Sequence, residues 1–203
     1  FDFNGTNFNF NDIFGEAFGV PPRRPRKNKD IIINLNLDLE DVIQGKQLVS
    51  KYRLFSGRTT EANIDIPPGT DNGTAIRFEG LGDDSIPGIL KGDLIIKIRV
   101  TKHPIWERNG NDLYTTKKID IFDCLLGTTL TFDTLAGRRL QMNIPQGTNP
   151  GTMFSIPEQG VPNMRSGKIG NAYIKISTTV PKLNNSNIIQ KLKEIKDEIS
   201  KIS

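Results

Sequence analysis

From Asp30 the chain alternates strictly. Ile31, Ile33, Leu35, Leu37 and Leu39 share one parity, with Asn34, Asn36 and Asp38 opposite. That is the period of a strand buried on one face and wet on the other. Leu39–Ile43 predicts a short turn before Gly45, and a second strand over about Lys46–Phe55 is expected to pair with the first as an antiparallel, hairpin-like unit. On that second strand Leu48, Ser50 and Tyr52 fall on one parity, and Val49, Lys51, Arg53 and Phe55 on the other. After Pro181 the period changes. Ile188, Leu192, Ile195, Ile199 and Ile202 follow at spacings of 4, 3, 4 and 3, a heptad seam on a helix of about 16 residues with Ser186 or Asn187 as its cap. A helix of that length is marginal alone, so the stripe must pack, either on the preceding β-unit or against its twin in a dimer. Its place at the C-terminal end favours the dimer.

The polar and apolar pattern also repeats. Residues 64–100 match 142–178 at a constant offset of 78, so that Ile66-Pro67-Pro68-Gly69-Thr70 meets Ile144-Pro145-Gln146-Gly147-Thr148, Gly82 meets Gly160, and Gly92 meets Gly170. Upstream, Leu37, Leu39, Asp41 and Gly45 correspond to Ile119, Ile121, Asp123 and Gly127 at an offset of 82, so the first copy carries a hairpin four residues longer. Two copies of one β-unit stand in tandem. The turn glycines take a positive φ, proline presets the dihedral before them, and Thr can bond the turn backbone. None of them opens a helix after a strand, as a phosphate loop requires.

Composition narrows the chemistry. The 203 residues suffice for one large domain or two of about 80. The longest apolar runs, such as Leu94-Ile95-Ile96, are far shorter than a bilayer span requires, so no membrane partner is expected. A single cysteine, Cys124, and a single histidine, His103, exclude an intrachain disulfide framework and a four-ligand zinc site, and point to a reducing, cytoplasmic setting with no cofactor. The net charge is +4, and five basic residues, Arg23, Arg24, Arg26, Lys27 and Lys29, crowd one short stretch among prolines. That stretch reads as an exposed tether and not as the broad, aromatic-laced face that nucleic acid demands. Before it lie six of the eleven phenylalanines, among Gly, Asn and Asp, with no steady period. Within them Ile13, Phe14 and Phe18 fit a short helical turn that docks locally. The chain opens on Phe1 with no initiator Met, as a fragment of a longer protein would.

Catalysis finds no foothold. His103 precedes Pro104, and no nucleophile or carboxylate stands at telling spacing from it. Cys124 sits in the apolar run Ile121–Leu126, where burial quenches a thiol. The acidic pairs Asp83-Asp84 and Glu40-Asp41 fall in expected turns. A binding surface remains: an exposed strand edge accepts an extended peptide through main-chain hydrogen bonds, and apolar pockets beside it select hydrophobic side chains at alternate positions.

The motifs, in order, are Asp12-Ile13-Phe14-Gly15 closing the Phe-rich start, Leu39-Glu40-Asp41-Val42-Ile43-Gln44-Gly45-Lys46, Ile66-Pro67-Pro68-Gly69-Thr70, and His103-Pro104-Ile105-Trp106-Glu107-Arg108-Asn109-Gly110-Asn111-Asp112-Leu113. This series resembles the C-terminal half of DnaJ-type co-chaperones along nearly the whole chain. The resemblance implies an all-β, mainly β fold of two tandem, similar β-sandwich-like domains with a C-terminal dimerisation helix. The expected divisions are a linker over 1–29, a first β-domain over 30–102, a second over 103–182 and the helix over 183–203. The family's cysteine-rich zinc repeats are missing, since Tyr52–Asn63 turns directly through Ser56-Gly57, so the chain looks like the zinc-free subclass. The His-Pro-Asp signature of a J domain is missing too.

By the same resemblance the chain captures exposed hydrophobic segments of unfolded client polypeptides. In the full-length protein it passes them to a seventy-kilodalton heat-shock chaperone. Its client groove is lined by Ile33, Leu35, Leu48, Ser50, Tyr52 and Ile96, and homodimerisation runs through Ile188, Leu192, Ile195, Ile199 and Ile202. The alternative is a structural or assembly adaptor with a self-associating C-terminal helix.

Overall fold

The computed structural model describes residues 26–202. The Phe-rich stretch with Ile13, Phe14 and Phe18, the basic residues Arg23 and Arg24, and the side chain of Ile202 lie outside the described residues. The element order shows the duplication directly. The series β1 (Ile31–Leu37), α1 (Leu39–Gln44), β2 (Lys46–Arg53), β3 (Thr59–Ile66), β4 (Ala75–Phe78) and β5 (Leu94–Val100) comes first. After a short β6 (Glu107–Asn109) the same series returns as β7 (Asp112–Asp120), α2 (Ile121–Leu126), β8 (Thr128–Asp133), β9 (Arg139–Ile144), β10 (Met153–Ile156) and β11 (Ala172–Thr179). The C-terminal helix α3 (Ser186–Ile202) follows. The fold is mainly β with a helix at its C-terminal end, as the alternation and the heptad seam predict.

Each copy builds one larger sheet and one two-stranded ribbon. The order is β1-β5-β4 with β2-β3 in the first, and β10-β11-β7-β6 with β8-β9 in the second. β7 and β11 run parallel from Leu113↔Ala172 to Asp120↔Thr179, while β10 joins β11 antiparallel. The expected β1–β2 hairpin does not form: the two strands lie in different sheets, and β2 pairs with β3 instead. The cause is local. Leu39–Gln44 is a helix and not a turn, and it closes on Gly45 at φ +76°. A Cβ there would stand 2.9 Å from the Ile66 carbonyl oxygen, so only glycine lets the chain swing out of the first sheet at this point. Gly127 repeats the device after α2, at φ +81° and 3.0 Å from the Ile144 carbonyl oxygen.

The four-residue excess of the first copy is shared evenly by its ribbon. β2 and β3 are 8 residues each, β8 and β9 6 each, so the side-chain parity is conserved. The Pro-Gly turns share one side-chain bond: Thr70 Oγ1 donates to Pro67 O and Thr148 Oγ1 to Pro145 O, both at 2.6 Å. At the C-terminal helix the cap is Asn185, and not the expected Ser186 or Asn187, with its Oδ1 accepting from Asn187 N at 2.9 Å.

Two compact units are distinguished. Among the described residues, one gathers 26–34 with Val49–Ala62 and Ala75–Lys97; the other gathers Leu35–Leu48, Asn63–Thr74 and 98–202. In the first unit Leu54, Ala62, Leu94 and Ile96 form the core. Residues 27–30 are fastened to it: the buried Asn28 donates from its side chain to the carbonyls of Ile86 and Leu90 and accepts from Ile86 N, and Asp93 N donates to Asp30. In the second unit Leu113, Ala172, Ile174 and Ile176 pack inside the larger sheet, and Cys124 is buried with its Sγ 3.4 Å from Thr178 Oγ1. Arg108 crosses from β6 to the Pro-Gly turn, donating to the carbonyls of Gly69 and Thr70 and to the Asp71 carboxylate.

Candidate functional site

β2 is the strand on which the expected site depends, and its environment follows from its partners. It pairs with β3 alone, so among the described strands its other edge carries unpaired backbone groups. Leu48 and Ser50 are half-buried, while Val49 and Lys51 on the opposite parity are exposed, with Lys51 Nζ 2.9 Å from Glu61 across the ribbon. Tyr52 ends the series differently. It is only 8% exposed, and its hydroxyl donates to the Leu81 carbonyl at 2.5 Å. Burial raises the phenol above its usual pKa, so the ring is a neutral hydrogen-bonded support.

On β1, Ile33 and Leu35 are half-buried, and β1 is likewise the outer strand of its sheet. Ile96, opposite Ile76 on β4, is completely buried. Ile33, Leu35, Leu48 and Ser50 therefore keep surface that a ligand can touch, whereas Tyr52 and Ile96, expected in the groove lining, are buried in the core. The first unit also exposes Phe55, Leu81, Ile86 and Leu90. Phe55 lies under Lys29 Nζ at 5.6 Å, and its backbone N–H donates to Asp83 Oδ1. Burial acts to raise the Asp83 carboxyl, but hydrogen bonds from Ser85, Phe55 and Asp84 outweigh it and hold the group below its usual value.

The two residues with catalytic potential are both occupied. His103 Nδ1 accepts from the backbone N–H groups of Trp106 at 2.9 Å and Ile105 at 3.2 Å, and its Nε2 lies 3.2 Å from Glu40. The imidazole thus pins the start of the segment before β6. Cys124 belongs to the core. On α3 the heptad residues point outward: Ile188 is 46% exposed, Ile195 50% and Ile199 55%, with Leu192 half-buried.

A cleft of about 600 Å3 opens in the second unit beside β7, lined among others by Tyr114, Tyr173, Thr115, Lys117, Lys175 and Glu107. The two tyrosines stack with ring centroids 5.0 Å apart and planes 14° from parallel. The signal was present in the repeat, because the offset of 82 sets Thr115 and Lys117 against Ile33 and Leu35.

Residues 31–181 match the model of the DnaJ C terminal domain. The chain belongs to this family. Among relatives of this DnaJ C-terminal region, the Chaperone protein DnaJ of Opitutus terrae is 39% identical over 124 residues, which cover 61% of this chain and 32% of that protein. The protein of the same name from Clostridioides difficile is 35% identical over 135 residues, 66% of this chain and 35% of its own. That of Allorhizobium ampelinum is 34% identical over 150 residues, 72% and 38%. The chain thus spans about a third of the length of the curated relatives it matches. Among the described residues no helix is long and apolar enough to cross a membrane.

Proposed function

We propose that this DnaJ C-terminal chain is the client-holding part of a co-chaperone. It binds extended, hydrophobic segments of unfolded polypeptides, and in the full-length protein it delivers them to a seventy-kilodalton heat-shock chaperone. The observation that carries this reading is the one-sided pairing of β2, whose open edge runs beside the half-buried Leu48 and Ser50. Backbone pairing along such an edge is indifferent to sequence, and the alternate side chains of the guest then meet apolar surface. The outer strand β1 offers Ile33 and Leu35 in the same manner. Covering a few side chains yields only a few kcal/mol at about 25 cal/mol per Å2, and ordering the guest offsets much of it. Affinity on the order of micromolar follows, which suits a holder that must release. Two chains joined through the outward seam of α3 place two such sites on one particle and raise retention through effective concentration.

The test uses a fluorescent peptide with leucine or phenylalanine at alternate positions, and the same peptide N-methylated on the alternate amides that would pair with the edge. Anisotropy should show binding of the first, and at least about tenfold weaker binding of the second. Leu35→Asp with Ser50→Asp should abolish binding with the melting temperature nearly unchanged, since both residues are only half-buried. Tyr52 is unsuited to this test because its ring is buried. Equal affinity of the two peptides, or of the variant and the parent, defeats the reading.

A further inference from the structure

The geometry points to a platform for single-stranded nucleic acid on the outer face of the second unit's larger sheet. This goes beyond the proposed function and is independent of it. The central strands of that sheet, β7 and β11, run in parallel register with Tyr114 opposite Tyr173, Thr116 opposite Lys175 and Lys118 opposite Ser177. Partners in register share a face, so these side chains stand on one surface, with Thr115 and Lys117 on the other. The edge strands add Glu107, opposite Tyr114, and Met153, opposite Lys175. Across the strands the face therefore reads in rows. An acid stands beside two aromatic rings, and lysine follows in the next rows, each roughly 6–7 Å further along.

Each row fits one part of a nucleotide. The two rings lie 5.0 Å apart with planes 14° from parallel, so they stack face to face across neighbouring strands. In the order β10-β11-β7-β6 this turns the outer face of Tyr114 toward β6, where the cleft of about 600 Å3 opens against Pro104, Ile105 and Glu107. A base slotted there continues the stack, whatever its identity, because every base has a π-face. The wall beside it is stiff, since His103 Nδ1 accepts from the N–H groups of Ile105 and Trp106. Glu107 is exposed at the rim, and as a carboxylate it only accepts hydrogen bonds, so it favours bases with an exocyclic amino group. Beyond the rings Lys118 and Lys175 are exposed, and neither forms an ion pair among the described residues. They are placed for the phosphates that flank the base. An acidic peptide fits this order poorly, because a carboxylate at the rings would meet Glu107. Tyr114 and Tyr173 are distant in sequence and meet only through the pairing of β7 with β11, so no motif announces the platform.

The experiment measures the anisotropy of labelled cytidine and uridine octanucleotides with the whole chain and follows the tyrosine ring signals by NMR. The cytidine strand should bind at least about fivefold more tightly than the uridine strand and shift the rings of Tyr114 and Tyr173. Glu107→Gln, whose amide offers a donor as well as an acceptor, should erase that preference. Lys118→Gln with Lys175→Gln should weaken both strands about tenfold at low salt and flatten the slope of log affinity against log salt by about 1.4, as expected for two phosphates of a single strand. Tyr114→Leu should weaken both about tenfold. A preserved melting curve certifies each fold, and the exposed lysine pair decides the matter even if the tyrosine variant does not fold. Equal binding of the two strands, binding that survives the lysine variant, or ring signals that do not move would overturn the proposal. So would cytidine monophosphate binding as tightly as the octanucleotide, since a strand would then add nothing. The apolar peptide of the preceding test should bind every one of these variants as it binds the parent, because β1 and β2 are untouched, so the two claims fail separately.

Discussion

Two buried polar residues show how differently such groups can be settled. Asp93 is surrounded: Gly80 N–H donates to Oδ1 at 3.1 Å, while Lys27 Nζ and Arg77 Nε lie 3.0 and 3.1 Å from Oδ2. The Gly80 amide and the Lys27 ammonium hold its carboxyl below the usual value, and Lys27 with the Asp93 amide does the same for Asp30. A carboxyl depressed in the folded state stabilises above its unfolded pKa, and that contribution is lost as pH falls through the folded value. Asp93→Asn should therefore lower the melting temperature at pH 7 and progressively less below about pH 4, with the two curves meeting at strong acid. A gap that persists at pH 2 would mean that Asp93 acts by shape and not by charge. Thr115 is the opposite case, a buried hydroxyl with nothing to bond. Thr115→Val keeps the outline and removes the orphan, so urea denaturation should show a gain of about 1 kcal/mol. A loss of that size would instead reveal an unseen partner for the hydroxyl.

At the scale of elements, what the alternation and the repeat made legible was the strands, the order of their copies and the heptad seam, because each is a property of parity. Which strand pairs with which was less legible. The separation of β1 from β2 depends on α1, and a six-residue run such as Leu39–Gln44 is too short for its period to announce a helix. Likewise, parity puts Tyr52 with Leu48 and Ser50, but only the Leu81 carbonyl explains why its hydroxyl turns inward. The glycines shared by the copies have a physical reason that spacing alone hides. A Cβ on Gly92 would stand 1.9 Å from the Lys29 carbonyl oxygen, and one on Gly170 would stand 2.1 Å from that of Asn111. In each copy the neighbouring glycine donates to its partner's carbonyl at 2.8 Å, Gly82 to Gly92 and Gly160 to Gly170, so two backbones are pinched together where the larger sheet begins. Neither Gly92 nor Gly170 has a positive φ, and the constraint is contact alone. Gly170→Ala should cost about 1–3 kcal/mol in urea denaturation, the range of an overpacked core. A neutral result would show that the segment around Asn111 yields.

For the whole molecule the deciding quantity is how many sites travel together. Apart from the half-buried Leu192, every described side chain from Ser186 to Lys201 is exposed. Ile188, Ile195 and Ile199 recur on one face of the 17-residue α3. A single amphipathic helix of this length gains little by standing alone, whereas a second copy of the same seam buries it by symmetry. The proposed pairing through α3 would double the number of open edges per particle, and a client long enough to span two of them would be held at the local concentration set by the linkage. Removing residues 184–203 should halve the sedimentation mass at micromolar concentration. It should leave the affinity for a short apolar peptide unchanged, since β1 and β2 are untouched, and should weaken retention of a long unfolded chain by about ten- to a hundredfold. Ile195→Asp with Ile188→Asp should reproduce the result with the helix still attached. If the shortened chain sediments like the parent, α3 is not the joint. If mass falls but long and short guests lose affinity alike, the two sites do not cooperate, and the gain must be sought within one chain.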